Sequence, residues 1–371
     1  MKNVKLWMLA AILIISGSFI FTSCSSDDEA IEDFGQGAAF RAMLKSLEWG
    51  KDTTYVYGHK TPDVDAVCSA LGYAKLMKTL GYNCKAKVSS PANRETVYIA
   101  GVFGFALPEL KSSVVPQTRL ILTDHTDYAQ CVDGARAAKI LQKIDHHVEG
   151  DILDSSIPYV RREMIGSTCT IVYEMYRELG VNIDDETAKI LLAGLLSDTR
   201  NLTTTTTQHE DSVAWTALVT QLHLEKRVAD INRQMAEAAS NYDGMTDSEI
   251  YLSDYKEYEI GGKEIGFSSL MCKSSEMEGF LSRLLAAMPQ VMSDQKRDML
   301  FAKIDNLVPN PDDSDLDNPL VADGLYLIYY GEGTQAIAEA IFGQSLRTGV
   351  TYTKENLSRK QIVPKIMEIL Q

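Results

Sequence analysis

From Thr54 onward, short apolar runs alternate with longer stretches of helical periodicity, and each run stops on a cluster of polar groups. Thr54-Tyr-Val-Tyr57 precedes a segment from Asp65 to Leu80 with apolar residues at helical spacing, closed by Gly81. Arg119-Leu-Ile-Leu122 and Ile140 to Ile144 read as two further strands, with a short helix over Ala135 to Lys139 between them. Thr168 to Leu179 is expected to be a helix ended by Gly180, and Asp184 to Leu196 a second one opened by an Asp-Asp cap. This alternation predicts an α/β fold, a parallel sheet with helices on both faces, in which ligands bind beyond the carboxyl ends of the strands.

Those ends carry the chemistry. Gly58-His-Lys-Thr-Pro-Asp-Val-Asp65 follows the first strand, Thr123-Asp-His-Thr-Asp127 the second and Asp145-His-His147 the third, while the helix after Asp184 runs into Ser197-Asp-Thr199. Four of the six histidines, His59, His125, His146 and His147, therefore fall at equivalent places. Alone, a His-His pair is more often a solvated turn than a ligand set. Repeated along one rim, these carboxylates would repel one another unless cations neutralised them. A set of carboxylates with few imidazoles and no thiolate suits Mn²⁺, Co²⁺ or Mg²⁺ better than structural zinc. With more ligands than one ion needs, two ions about 3.5 to 4 Å apart are the expected arrangement.

His59-Lys-Thr-Pro-Asp-Val-Asp65, Asp124-His125, Asp145-His146-His147 and Ser197-Asp198-Thr199 together resemble the four ordered motifs of the DHH phosphoesterase superfamily. Asp254-Tyr-Lys256 and Ser358-Arg-Lys-Gln-Ile-Val-Pro364 resemble the second domain of its family II, manganese-dependent inorganic pyrophosphatases, and the likeness covers about residues 50 to 371. The Gly-Gly-Gly-His type motif of the nuclease branch is absent from the sequence. The resemblance implies one metal ion on His59, Asp63 and Asp124 and a second on Asp65, Asp124, His146 and Asp198, with Asp124 shared. It also implies that His147 faces substrate phosphate, that Asp145 orients the His146-His147 pair, that His125 supports the site, and that Lys256, Arg359 and Lys360 clamp the phosphoryl oxygens. Thr61, Val64 and Ala66 stand where the family usually has Asn, Thr and Ser, and the terminal motif is one lysine short of its usual Ser-Arg-Lys-Lys-Gln. Arg359 and Lys360 could accordingly slip by one place against the family pattern.

The expected domains are a DHH catalytic unit over 49–238, a polar linker over 239–247 and a smaller α/β clamp domain over 248–371, with the active site in the cleft between them. In the clamp domain, alternation on either side of Gly261-Gly262 predicts a hairpin from Tyr255 to Phe267. Val308 to Pro319 reads as an acidic surface loop, lacking the glycine and terminal glutamate of a calcium loop. His209 and His223 match no motif.

Lys2 and Lys5 precede an apolar run from Leu6 to Phe21 that ends in Thr22-Ser23-Cys24. Such an arrangement reads as a secretory signal over 1–23, and it resembles a lipoprotein processing box in which Cys24 becomes the lipidated first residue. Residues 24–48 then form a flexible tether, acidic at its start. The chain is expected to be exported and held by lipid at a bacterial membrane, periplasmic or at the cell surface. A net charge of −15 argues against a nucleic-acid surface. Cys68, Cys84, Cys131, Cys169 and Cys272 have no metal-ligand spacing and read as small buried hydrophobes.

The function expected from these residues is hydrolysis of a phosphoanhydride, with pyrophosphate first. An exopolyphosphatase using the same parts on a longer chain is the alternative, and the exported location favours it because cytosolic pyrophosphate would be out of reach. A surface lipoprotein that binds phosphate without useful turnover is a third reading. Oligomeric state is left open, with a homodimer among the options.

Overall fold

A computed structural model describes residues 36–309 and 320–370. The export segment 1–23, Cys24 and most of the acidic loop at 308–319 lie outside the described residues. The first described element corrects the expected tether. Helix α1 (Gln36–Ser46) buries Phe40 and Leu44 in the catalytic core, because these two residues lie one helical turn apart on a single face.

The catalytic unit is a five-stranded parallel sheet in the order β2-β1-β3-β4-β5. Its strands are β1 (Thr54–Tyr57), β2 (Cys84–Lys87), β3 (Arg119–Thr123), β4 (Lys139–Asp145) and β5 (Tyr159–Arg162). Helices α2 (Val64–Thr79), α3 (Arg94–Phe103), α4 (Thr168–Glu178), α5 (Asp185–Thr199), α6 (His209–Gln221) and α7 (Val228–Ala239) complete it. Along the strands the side chains alternate between two cores, with Val56, Ile121 and Ile144 in one and Tyr57, Leu120, Leu122 and Ile140 in the other.

The first of these cores is built with helices, as expected. The second is covered by Val114, Cys131, Val132, Ala135 and Ile152, residues on irregular segments and short 3₁₀ turns, so helices do not cover both faces. Pro108 and Pro116 interrupt the segment 104–118, which therefore cannot form the helix that a crossover there would otherwise supply. Likewise the short helix expected over Ala135–Lys139 is a 3₁₀ turn at Ala135–Ala137, and Lys139 already belongs to β4.

Between Ala239 and α8 (Asp247–Tyr251) the chain crosses into a second sheet, ordered β10-β9-β8-β7-β6. Its strands are β6 (Tyr255–Ile260), β7 (Lys263–Lys273), β8 (Met299–Pro309), β9 (Leu320–Tyr330) and β10 (Val350–Thr353). The hairpin falls where the sequence places it: Gly261 and Gly262 have φ of 57° and 71°, the left-handed pair that a two-residue turn requires. Helix α9 (Met277–Asp294) packs on one face, while α10 (Thr334–Phe342) and α11 (Arg359–Leu370) pack on the other. The cysteines Cys68, Cys84, Cys131, Cys169 and Cys272 are all buried and unpaired.

Candidate active site

Four elements of the catalytic unit converge at the carboxyl edge of the parallel sheet. Past β1, the chain must approach α2 closely: a Cβ on Gly58 would lie 2.4 Å from the carbonyl oxygen of Ala66. His59 follows, buried, and its Nε2 lies 3.0 Å from Asp63 Oδ2 and 3.5 Å from Asp124 Oδ2. Asp63 caps α2 by accepting a hydrogen bond from the Ala66 amide at 2.9 Å. The cap uses the backbone of residue 66, so the Ala in place of the family's Ser leaves it intact.

Asp124 ends β3 in the left-handed region, φ 61°, a conformation that costs a residue other than glycine and is found where function demands it. From there Oδ1 lies 3.1 Å from His146 Nε2 and Oδ2 faces His59. His146 Nε2 is in turn 3.3 Å from Asp198 Oδ2 and 3.8 Å from Asp65 Oδ2. Three groups of donors result, each with its atoms within 4.8 Å of one another: His59, Asp63 and Asp124; Asp65, Asp124, His146 and Asp198; and Asp124, His146 and His147. The first two are the sets implied by the resemblance, and Asp124 belongs to both. Asp198 sits in the last turn of α5 and not beyond it, because that helix runs three residues further than its periodicity indicated.

The carboxylates are held by groups that no motif marked. Asp65 accepts from Ser167 Oγ at 2.7 Å, from the Thr168 amide at 2.7 Å and from the Cys169 amide at 3.1 Å, which seats it on the N-terminus of α4. Thr168 Oγ1 donates to Asp124 Oδ1 at 3.1 Å. Asp211 fixes this corner from below, accepting from the Gly166 amide and from Thr170 Oγ1. Ser167 just ahead of a helical run was the available signal, as a cap, but its reach to Asp65 depends on a contact 102 residues apart in sequence.

Electrostatics calls for positive charge here. Burial, and then Asp198 and Asp124 nearby, push the Asp65 carboxyl up to about 7, despite three hydrogen bonds to it. For Asp124 burial acts in the same direction, but the His146 hydrogen bond and Lys256 outweigh it and hold the group well below the usual range. Burial would also lower the imidazole of His146, as would Lys360, yet Asp124 and Asp198 raise it to about 10.

The second domain answers with cations. Lys360, in the first turn of α11, places Nζ 2.5 Å from His146 Nε2 and 2.6 Å from Asp198 Oδ2. The Lys360 ammonium thus meets the Asp198 carboxylate of the second set. Lys256 on β6 is buried with Nζ 3.9 Å from Asp63 Oδ2. Arg359 turns its guanidinium back onto Asp254, donating to its carbonyl at 3.0 Å and to Oδ1 at 2.8 Å. Ser358 and Gln361 cap the helix start, which fixes Arg359 and Lys360 in register.

His147 lines the same cleft, and Asp145 accepts from both its amide (2.8 Å) and Nδ1 (2.9 Å). Asp145 does not orient the pair as the resemblance implied: His146 Nδ1 donates instead to the Ile165 carbonyl at 3.1 Å, since adjacent residues on an extended chain point opposite ways. Burial, then Lys360 and Lys256, hold His147 well below the usual imidazole range. His125 is buried with Nδ1 on the Thr123 carbonyl and Nε2 beside Cys131 Sγ, away from the donor groups. His209 opens α6 and His223 sits in the loop beyond it.

Residues 53–195 match the DHH family N-terminal domain and residues 233–369 match the DHHA2 domain. The chain is 29% identical over 327 residues to a Clostridium acetobutylicum protein named as a probable manganese-dependent inorganic pyrophosphatase, spanning 86% of this chain and 99% of the relative. It is 28% identical to the manganese-dependent inorganic pyrophosphatase of Methanothrix thermoacetophila, over 85% of this chain and 97% of the relative. Its fold matches the crystal structure of a Methanococcus jannaschii protein put forward as a family II inorganic pyrophosphatase, with a TM-score of 0.73 at 23% identity, covering 85% of this chain and 99% of that one. Over residues 53–195 and 233–369 this chain carries a DHH family N-terminal domain followed by a DHHA2 domain.

Proposed function

We propose that the protein is a metal-dependent phosphoanhydride hydrolase, an inorganic pyrophosphatase whose first substrate is pyrophosphate. The observation that carries this reading is the pair of donor sets sharing Asp124 beneath a cleft whose other wall bears Lys256, Arg359 and Lys360. His59, Asp63 and Asp124 would hold one divalent ion and Asp65, Asp124, His146 and Asp198 the other, Mn²⁺ first because imidazoles in a carboxylate set favour transition metals, with Co²⁺ or Mg²⁺ as substitutes. Bound there, the ions supply charge neutralisation and a water of lowered pKa.

The residues of the chain do the rest. Asp145 orients His147 toward the phosphoryl group, and Lys256, Arg359 and Lys360 bind its oxygens as charge shifts to the leaving phosphate. A water oxygen bonds to one phosphorus as the bridging P–O bond breaks, the electron pair leaves with the second phosphate, and the proton passes to phosphate or solvent. Phosphate release from pyrophosphate, with Mn²⁺ and after chelation, tests the reading. Failure to turn over any phosphoanhydride with both ions bound would leave a phosphate-binding lipoprotein in its place.

The proposal extends to the N-terminus, where Leu6 to Cys24 supports export and lipid attachment at Cys24. Labelling of the cells with a fatty acid should mark the full chain and not Cys24→Ala; equal labelling of both refutes the anchor.

A further inference from the structure

Outside the proposed metal and clamp residues, one cluster of charges in the cleft has no assigned task. Arg200, directly after α5, donates through Nη2 to Asp305 Oδ2, and Lys303 donates to Asp305 Oδ1 at 2.6 Å. Lys303 and Asp305 are both on β8, so the cluster joins the DHH domain to the DHHA2 domain. Asp305 and Lys303 are buried, whereas the Arg200 side chain is 40% exposed and all three line the cleft. One carboxylate between two cations leaves an excess of one positive charge. The Arg200 guanidinium has five N–H donors, and Asp305 is the only hydrogen-bond partner of that group among the described residues.

The backbone that presents Arg200 is strained. Arg200, Asn201 and Leu202 have φ of 46°, 55° and 68°, three consecutive left-handed residues without a glycine. Each such residue costs on the order of 1 kcal/mol, and strain of this kind gathers at binding sites. Arg200 is two residues from Asp198, and Lys303 lines the same cleft as Arg359. The cluster therefore continues the line of cations away from the donor sets. The cleft itself has a volume of about 2320 Å³, beyond the roughly 300 to 1,000 Å³ of a site for a drug-sized ligand. Pyrophosphate is smaller than such a ligand.

We propose that Arg200 and Lys303, held together by Asp305, form a second anion subsite that takes the distal phosphates of a polyphosphate longer than pyrophosphate. The proposal rests on the phosphoanhydride reading above and names its substrate class. Arg200 supplies the fork that fits phosphoryl oxygens, and Asp305 pre-orients it while keeping the two cations from repelling each other. A longer chain adds phosphates beyond the two of pyrophosphate, and these are the ones the subsite would hold.

Initial rates of the full chain with Mn²⁺ on pyrophosphate and tripolyphosphate, for wild type and Arg200→Gln, test this. Wild type should turn over both substrates, and Arg200→Gln should lower the tripolyphosphate-to-pyrophosphate ratio of kcat/KM about tenfold or more, with Arg200→Lys recovering part of it. An unchanged ratio, or an equal fall on both substrates, overturns the subsite and makes the cluster a strut between domains. A wild-type enzyme that turns over pyrophosphate but not tripolyphosphate also overturns it, leaving the proposed function standing. Should wild type turn over neither, that function falls, and calorimetric binding of tripolyphosphate decides the subsite: about tenfold weaker binding by Arg200→Gln supports it and equal binding refutes it.

Discussion

Asp124 shows how much a single residue can be asked to do. It accepts a left-handed backbone at φ 61° so that its two oxygens can face His59 and His146 at once. Asp124→Asn keeps the shape but removes the negative charge at the shared position and leaves one oxygen donor in place of two. Bound metal should fall below two ions per chain and turnover by at least about a hundredfold, more than the ten- to hundredfold range for a residue that only orients a ligand. Metal analysis with phosphate release checks it. Glu95 makes a separate prediction. Burial, reinforced by Asp63, Asp198 and Asp254 against a hydrogen bond from Ser197, pushes its carboxyl from the ordinary 4.5 up to about 8. The native state then binds this proton more tightly than the unfolded chain does, so stability falls as pH rises from about 4.5 to about 8. In metal-free protein, Glu95→Gln should flatten that fall in Tm; identical pH profiles would show that the group carries its charge without cost.

At the scale of elements, the site depends on α4 and α5 as much as on the strand ends. The N-terminus of α4 receives Asp65, and α5 must come close enough to deliver Asp198. Gly194 allows this approach: a Cβ there would stand 2.4 Å from Cys169 Sγ and 2.8 Å from Asp65 Oδ1. Gly194→Ala should therefore destabilise by about 1 to 3 kcal/mol, the range for overpacking, and also weaken metal binding, because the carboxylate is one of the atoms displaced. Thermal melts with and without Mn²⁺ separate the two effects. A variant that loses stability but keeps the wild-type gain in Tm on adding Mn²⁺ would show that Asp65 is not moved.

For the whole molecule, the decisive fact is that DHHA2 side chains enter the DHH site. Lys360 reaches His146 and Asp198, Lys256 faces Asp63, and Arg94 of α3 holds the linker by donating to the Asn241 and Asp243 carbonyls. The substrate is an anion entering an acidic rim, so the cations must come from the facing domain. Arg359→Ala and Lys256→Ala should each lower kcat/KM by roughly a hundredfold, the scale for one donor to a developing charge, with two ions per chain retained. Unchanged efficiency in both variants would mean that the second domain does not close on the substrate.

The residues of both donor sets stood out along the chain because each sits at a strand or helix end, where the hydrophobic period breaks; their division into two sets was what the resemblance to the DHH motifs implied. The Gly-Gly hairpin and the α/β alternation were legible for the same local reason. Several features depended on contacts that sequence spacing does not encode. The helix at Gln36–Ser46 belongs to the core because Phe40 and Leu44 find partners far along the chain. The orientation of the His146 ring is set by the Ile165 carbonyl, a backbone group with no residue signature, and not by the neighbouring Asp145. Ser167, Thr168 and Asp211 look like ordinary caps until the fold brings Asp65 to them. Arg200 is 105 residues from Asp305 in sequence, and only the packing of one domain on the other brings it to Asp305 and Lys303. Residue type and local period thus determined which groups could hold cations; the closure of two sheets on one cleft decided which of them meet.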